Sequence, residues 1–237
     1  MTLLVAAKDG VATLTLNRPG SRNALNLAMC EALRAAAQGL EESVRLVLVR
    51  ANGPAFCAGA DLKERQGMDA AQVRERRMKA FAAYAALEAL PMPVIAVVEG
   101  PAVGSGCEIA AACDFIVATP AASFRIPEAL RGTVGATQRL PRILGKRLAK
   151  DLMFTGRTLA AEEAERHGLV ARLVAPDRLD AVLAEISQAV VAAPAQALRL
   201  AKGAIDRGVE RDPQGALQAE IAAIEEQLAA GEWLGKP

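Results

Sequence analysis

Strand-like and helix-like segments alternate along the first part of the chain, and this alternation constrains the fold more than any other feature. LLVAA and VATLTL flank KDG and predict a β-hairpin, because Asp-Gly tolerates the positive φ angles of tight turns. The segments VRLVLVRA, PVIAVVEG, DFIVAT and ASFRIPE predict further extended structure. Helical spacing follows Asn26, a predicted N-cap, and recurs in residues 69–89 and in GCEIAAAC. Alternating strands and helices predict an α/β fold.

After about residue 145 the pattern changes, and helix follows helix. The helical segments are RLAKDLMF, AAEEAERHG, PDRLDAVLAEISQAVVA, PAQALRLAKGAID and PQGALQAEIAAIEEQLAA. Their stripes of Ala, Leu, Ile and Val are broader than one packing face requires. We therefore expect a C-terminal helical region, part of which contacts another subunit, although ordinary core packing is an alternative for each stripe.

Charge and hydropathy limit the partners of the chain. Its 237 residues are 52% apolar, and 28 basic against 27 acidic residues leave a formal charge of +1. That balance gives no general field for attracting nucleic acid or an anionic membrane. The start, MTLLVAAKDG, does not resemble a signal peptide, and no run of 18 uncharged apolar residues follows. We expect a cytoplasmic protein with no nucleic-acid or membrane partner.

The cysteines and the single histidine give no sign of a metal or of triad chemistry. The cysteines form no CxxC pair and sit among apolar or small residues, as buried thiols do; they are Cys30, Cys57, Cys107 and Cys113. We expect neither a disulfide framework nor a bound metal. His167 precedes a glycine and fits a helix end better than a catalytic Ser-His-Asp set.

Two glycine-bearing turns follow predicted strands, and the first places an acid beside its glycines. GPAVGSGCEIA contains Glu108, which has three interpretations. It satisfies the dipole of a following helix, it belongs to a dinucleotide site, or it is catalytic. The dinucleotide pattern fails at Ile109, where a third glycine is needed. The second turn is PAFCAGADLKE; if the turns lie side by side, one amide from each can stabilise the same oxyanion.

Five stretches of the sequence, in their order and spacing, resemble the motifs of the enoyl-CoA hydratase/isomerase (crotonase) family. They are LNRPGSRNALN, AFCAGADLKE, VEGPAVGSGCEIAAACD, FRIPEALRG and TQRLPRILGKRLAKDLMFTGRTLAAEEAERHGLV, within about residues 10–210. The resemblance implies a crotonase-like spiral of ββα units with a C-terminal helical region, assembled as a homotrimer or a dimer of trimers. On this basis residues 1–190 form the spiral core and residues 191–237 the helical trimerisation region.

The resemblance also implies the catalytic groups. The backbone N–H groups of Ala60 and Ser105 correspond to the oxyanion hole, and Glu108 and Glu128 correspond to the two glutamates of the hydratases. A hydratase is a hydro-lyase that adds water to a 2-enoyl-CoA and gives 3-hydroxyacyl-CoA, with no metal and no cofactor other than the coenzyme A of the substrate. An enoyl-CoA isomerase, another acyl-CoA reaction of the family and a non-catalytic binding protein are the alternatives.

Coenzyme A is expected along the AGADLK turn and the SRNAL stretch. By resemblance the contacts with coenzyme A or substrate come from Arg22, Ala24, Leu25, Ala58, Asp61, Leu62 and Lys63. Arg22 and Lys63 have the charge to pair with phosphate, but a solvated surface charge is an equal alternative for each. Arg18, Gln138 and Arg139 are interpreted as structural, the last two as helix-start and packing residues.

The sequence departs from the family pattern in three places. The loop after Gly132, in GTVGATQRL, is about three residues shorter than the usual Pro-Gly-x-Gly-Gly loop, which puts hydration efficiency and substrate in question. AGEWLGKP replaces a basic and aromatic segment that covers coenzyme A, so we expect weaker or differently built nucleotide binding. Residues 66–83 are charged and poor in landmarks, and in the family this region borders the acyl chain.

Overall fold

The computed structural model describes residues 1–231, and their strands form two sheets. The larger sheet contains β1 (Leu3–Lys8), β2 (Val11–Leu16), β3 (Leu46–Ala51), β4 (Val94–Val98), β6 (Phe115–Ala118) and β9 (Arg172–Leu173), side by side in this order. β1 is antiparallel to β2, and every later pair is parallel. In the smaller sheet β5 (Pro101–Val103) is parallel to β7 (Ser123–Arg125), which is antiparallel to β8 (Thr158–Ala160). The expected α/β class is confirmed.

The helices occupy the expected segments. They are α1 (Leu27–Gln38), α2 (Ala70–Glu88), α3 (Ser105–Ala111), α4 (Arg139–Thr155), α5 (Ala161–Arg166), α6 (Leu179–Ala192), α7 (Ala195–Gly208) and α8 (Pro213–Ala230). Asn26 caps α1 as predicted, since its side chain accepts from the backbone N–H of Met29 at 3.0 Å. His167 directly follows the last residue of α5, which confirms its place at a helix end.

Local turn chemistry sets the register of the first hairpin. Asp9 and Gly10 have φ angles of 51° and 79°, the left-handed values that a two-residue hairpin turn requires. The strands pair from Leu3 opposite Leu16 to Lys8 opposite Val11. The predicted hairpin is therefore confirmed.

Helices cover the large sheet on both faces, which explains why its central strands are continuous apolar runs. In β3, Val47 and Val49 belong to a core that includes residues of α1, α2 and α3. Leu46 and Leu48 point to the other face and pack with residues of α6. Side chains that alternate along a strand thus supply two cores, and the sheet is held rigidly between them.

The C-terminal helices keep apolar side chains on the surface. Ile205, Val209, Leu217, Ile224 and Leu228 are all at least 46% exposed. Such a surface is compatible with a subunit contact, but the domain boundary at residue 190 and the trimerisation role stay predictions. The segment at residues 232–237, on which the expectation about nucleotide coverage partly depends, lies outside the described residues.

No single helix in residues 1–231 has the length and apolar character needed to cross a membrane. The segments Pro176–Ala192 and Ala195–Gly208 meet that requirement only as a pair, and they are bent by 104° where they join.

The four cysteines are buried and free, as expected from their apolar surroundings. Burial raises the pKa of Cys30 to about 11 and that of Cys57 to about 12, so these thiols stay protonated near neutral pH.

Candidate active site

The two glycine-bearing turns lie side by side. Cys57 of PAFCAGADLKE and Ala102 of GPAVGSGCEIA form a parallel bridge, in which Val103 N–H donates to the Cys57 carbonyl at 2.8 Å. A Cβ atom added to Gly106 would stand 2.4 Å from that same carbonyl oxygen. Only glycine permits this close approach of the two backbones. The condition for a shared oxyanion site, two adjacent turns, is therefore met.

The backbone N–H of Ala60 is available to a ligand, because the residues on either side of Ala60 make the hydrogen bonds of the bridge to Leu25. Leu25 N–H donates to Gly59 O at 2.8 Å, and Asp61 N–H donates to Leu25 O at 2.9 Å. In a parallel bridge of this kind the N–H of the central residue points away from the partner strand. Among the described residues we find no acceptor for Ala60 N–H.

The amide of Ser105 is available for a different reason. Ser105 is the first residue of α3, and the first N–H groups of a helix have no acceptor within that helix. Residues 1–231 offer no backbone or side-chain acceptor for its N–H. The preceding Gly104 has a φ of 50° and a ψ of −107°, a conformation that L side chains rarely adopt.

Glu108 lies in the first turn of α3 with only 6% of its surface exposed. Its Oε2 accepts from Nη1 of Arg139 at 3.0 Å. Its Oε1 is buried and has no hydrogen-bond partner in the described part of the chain. A buried carboxyl oxygen without a partner is costly, so this atom marks a place where a ligand group is expected.

Glu128 lies just before a short 3-10 helix and leans against the same turn. Its Oε1 is 2.1 Å from the position that a Cβ on Gly104 would take, and its Cγ is 3.2 Å from the corresponding position on Gly135. The carboxyl group is thus adjacent to the residue that precedes the Ser105 amide. Like Oε1 of Glu108, its Oε2 is buried without a hydrogen-bond partner in residues 1–231.

Burial raises the pKa of both carboxyl groups. For Glu108 the Arg139 guanidinium opposes the rise, whereas the charge of Glu128 adds to it. For Glu128 the rise comes from burial and is opposed by its backbone hydrogen bond and, at longer range, by Arg131 and Arg77. Two carboxyl groups with raised pKa values in one cleft are typical of a proton-transfer site.

A cavity of about 580 Å³ brings these groups together. Its lining includes both glutamates, both amide-bearing residues and two of the expected substrate contacts: Glu108, Glu128, Ala60, Ser105, Ala58 and Leu62. Apolar and aromatic side chains complete one wall, among them Met68, Val73, Phe81, Tyr84 and Val134. A cavity of this size, with apolar side chains on one wall and charged groups elsewhere, suits a small organic ligand.

The other expected coenzyme A contacts lie beside the cavity but do not line it. Leu25 is fully buried and contributes its backbone to the bridge with Ala60, and Arg22 O accepts from Ala58 N–H at 2.9 Å. Ala24 is half-buried between these two residues. Lys63, like Arg22, is exposed, and neither has an acidic partner within 4 Å in the described residues.

Asp61 has a structural partner that the sequence did not indicate. Its carboxylate pairs with Arg18 at 3.0 Å and also accepts from the backbone N–H of Lys63 at 3.1 Å. Arg18, interpreted from the sequence as structural, fixes the turn that carries the Ala60 amide. The arginine and the hydrogen bonds lower the pKa of Asp61 despite its partial burial.

Arg139 is the residue of the site whose role the sequence analysis did not predict. It begins α4, as expected of a helix-start residue, but its guanidinium also pairs with Glu108. The contact joins residues 31 positions apart, on either side of the shortened loop. The one signal in the sequence for this contact was a basic residue at the start of the helix that follows the loop.

Two segments singled out in the sequence analysis form part of the cavity wall. Residues 66–83 border the cavity through Gln66, Met68, Val73, Arg77 and Ala80. The shortened loop contributes residues 133–136, and Arg77 of α2 donates a hydrogen bond to Thr133 of this loop. The loop and the helix therefore form one continuous wall beside Glu128.

Comparisons of the chain with known proteins all point to the same family. The family model described as enoyl-CoA hydratase/isomerase matches residues 6–232. The chain is similar to a Rhizobium meliloti protein named "Probable enoyl-CoA hydratase", with 40% identity over 88% of this chain and 82% of the relative. It is also similar to the crystal structure of an enoyl-CoA hydratase from Bacillus anthracis, with 38% identity, a TM-score of 0.91, and coverage of 95% of this chain and 90% of that one.

A third similarity concerns a structure that holds a ligand. A Thermobifida fusca YX protein solved in complex with CoA is 29% identical, with a TM-score of 0.90 and coverage of 97% of this chain and 93% of that one. These likenesses confirm the expected fold, a crotonase-like spiral within the α/β class.

Proposed function

The chain belongs to the enoyl-CoA hydratase/isomerase family, and we propose that its reaction is the hydration of a 2-enoyl-CoA thioester to a 3-hydroxyacyl-CoA. One observation carries the proposal. Two glutamates, each with a buried carboxyl oxygen that has no partner in residues 1–231, line the same cavity as two backbone amides without acceptors. The isomerase alternative needs one proton-transfer group, whereas hydration uses both.

In the proposed mechanism the thioester oxygen accepts hydrogen bonds from the N–H groups of Ala60 and Ser105. Glu108 accepts a proton from water as the water oxygen bonds to C3, and the π electrons of the C2–C3 bond move towards the thioester oxygen. The two amides stabilise the resulting enolate by several kcal/mol in a site sheltered from water. Glu128 then donates its proton to C2, and proton exchange with solvent restores both groups.

Burial raises the pKa of both glutamates, but among the described residues only Glu108 has a cation in contact that opposes the rise, and this difference supports the division of roles. Arg139 favours the charged form of Glu108, which suits a base. Glu128 makes no ion pair within 4 Å in the described residues, and burial raises its pKa, which suits an acid. The four groups account for the charge that develops, so the proposal calls for no metal or redox cofactor.

Coenzyme A is proposed to follow the stretches that carry Arg22, Ala24, Leu25, Ala58, Asp61, Leu62 and Lys63. The relative in complex with CoA supports this class of ligand. Exposed Arg22 and Lys63 are the proposed phosphate contacts, because within residues 1–231 neither has an acidic partner that would compete. Assembly as a trimer or a dimer of trimers remains part of the proposal.

The test is the loss of conjugated-enoyl absorbance when the purified protein is incubated with crotonyl-CoA. Glu108→Gln and Glu128→Gln are each expected to reduce kcat by about 100-fold or more, since each removes a proton-transfer group while keeping its shape. A gain of conjugated absorbance from a 3-enoyl-CoA, with no hydration of crotonyl-CoA, would instead identify an isomerase. Unchanged hydration in both variants would contradict the proposal.

A further inference from the structure

The two oxygens of the Glu108 carboxylate differ in their contacts, because only one of them is bound by Arg139. Nη1 of Arg139 is 3.0 Å from Oε2, while Oε1 has no partner in residues 1–231. Glu108 lines the cavity described above and also a neighbouring one of about 620 Å³. Arg139 lines only the neighbouring cavity, so it reaches Glu108 without entering the cavity assigned to the substrate.

Arg139 is itself held in place by other contacts. Its Nη2 is 2.7 Å from Oε2 of Glu88, and its Nε is 3.3 Å from Oε1 of the same residue. Its guanidinium carbon lies 5.8 Å from the centre of the Tyr84 ring, within cation–π range. A planar guanidinium held by these two partners on α2 presents Nη1 to Glu108 in a defined direction.

Tyr84 extends this arrangement to the oxyanion side. It is 2% exposed and lines the substrate cavity together with Ser105. The ring that packs under Arg139 therefore borders the same cavity as the residue whose amide is proposed to hold the thioester oxygen.

We propose that Arg139 is a positioning residue, which holds Oε2 of Glu108 so that Oε1 faces the substrate cavity as a carboxylate ready to accept a proton from water. This inference rests on the proposed function of Glu108 as the base. It adds a residue that acts through Glu108 and does not line the cavity assigned to the substrate.

The charges around Glu108 come from a small set of groups. Arg139 favours the ionised form, while Glu128 and Glu88 oppose it. The other titratable neighbours, Tyr84 and Cys107, are buried with raised pKa values and stay neutral. Arg139 is thus the cation in direct contact with Glu108, and its removal leaves burial and two like charges, all of which raise the pKa of Glu108.

The test compares Arg139→Gln, Arg139→Lys and the control Arg142→Gln, which removes a surface arginine one turn further along α4 that pairs with Glu210. For crotonyl-CoA at neutral pH, Arg139→Gln is expected to lower kcat by about 10-fold to 100-fold, as misplaced catalytic groups do, with KM changed by about twofold at most. The acid limb of its pH–rate profile is expected to move to higher pH. Arg139→Lys, which keeps the charge, is expected to recover part of the loss, and Arg142→Gln to match the parent.

A second readout needs no turnover. In a ¹³C NMR titration of the glutamate carboxyl groups, Glu108 is assigned by the signal missing from Glu108→Gln, and its titration is expected to move to higher pH in Arg139→Gln. Absence of hydration by the parent protein would count against the proposed function alone. An unmoved Glu108 titration, or a loss of kcat with an unmoved acid limb, would overturn the role of Arg139.

Discussion

Replacement of Gly104 by alanine tests whether the glycine turn and the acid beside it form one unit. A Cβ at position 104 would stand 2.1 Å from Oε1 of Glu128, and ordinary van der Waals contact begins at 3.4 Å. The carboxyl group must therefore move by more than about 1 Å. The Cγ of Glu128 is 3.2 Å from the position that a Cβ on Gly135 would take. The side chain of Glu128 is therefore packed against Gly135 as well, and little room is left for the movement.

The expected result is a loss of kcat by about 100-fold, because a displacement of about 1 Å in a catalytic group has that effect. The backbone adds a loss of stability of about 1–3 kcal/mol, since alanine rarely adopts a φ of 50° with a ψ of −107°. The matched control is Gly168→Ala, where φ is 78° but nothing lies within 4 Å of the added Cβ. It is expected to lose about 1 kcal/mol and to keep kcat.

The assay is steady-state hydration of crotonyl-CoA, with urea unfolding of each variant to show that both are folded under the conditions used. Activity of Gly104→Ala within about threefold of the parent would refute the reasoning, because the acid would then tolerate the displacement. Equal losses of kcat in Gly104→Ala and Gly168→Ala would refute it too, since the clash would have no specific effect.

Two further predictions concern stability. Relative to the parent, Glu128→Gln is expected to raise the thermal midpoint increasingly as pH rises above the ordinary glutamate pKa, because burial raises the pKa of Glu128 in the folded state and its contribution to stability is lost as pH rises through that pKa. A midpoint difference independent of pH would contradict this. Arg76→Leu is expected to lower the free energy of unfolding by about 2–3 kcal/mol, since Arg76 is 5% exposed and its Nε is 2.7 Å from Oε2 of Glu64. In urea titrations the exposed control Lys79→Gln should leave the midpoint nearly unchanged, and equal effects would exclude a special role for the buried pair.

Features set by neighbouring residues were predictable from the sequence. The turn at Asp9 and Gly10, the cap at Asn26 and the apolar runs of β3 and β4 each depend on a few consecutive residues. The sequence analysis named the adjacency of the two glycine turns only as a condition for a shared oxyanion site. It depends on the bridge between Cys57 and Ala102, which local patterns do not specify.

Features set by tertiary packing were missed. β5, β8 and β9 are two or three residues long, too short for an alternating pattern to indicate a strand. The partners of Arg139 lie on α2 and α3, so its sequence neighbours showed only that it begins a helix. Asp61 likewise appeared as a ligand contact, whereas its pairing with Arg18 requires two turns to meet across 43 positions.

The central claim is that the amides of Ala60 and Ser105 converge on one thioester oxygen. A crystal structure of the protein with acetoacetyl-CoA measures this directly. We expect the thioester oxygen within about 2.7–3.1 Å of both backbone nitrogens, with the carboxyl groups of Glu108 and Glu128 beside the adjacent carbons. A thioester oxygen bound by neither amide, with the acyl group outside the cavity lined by the two glutamates, would contradict the account.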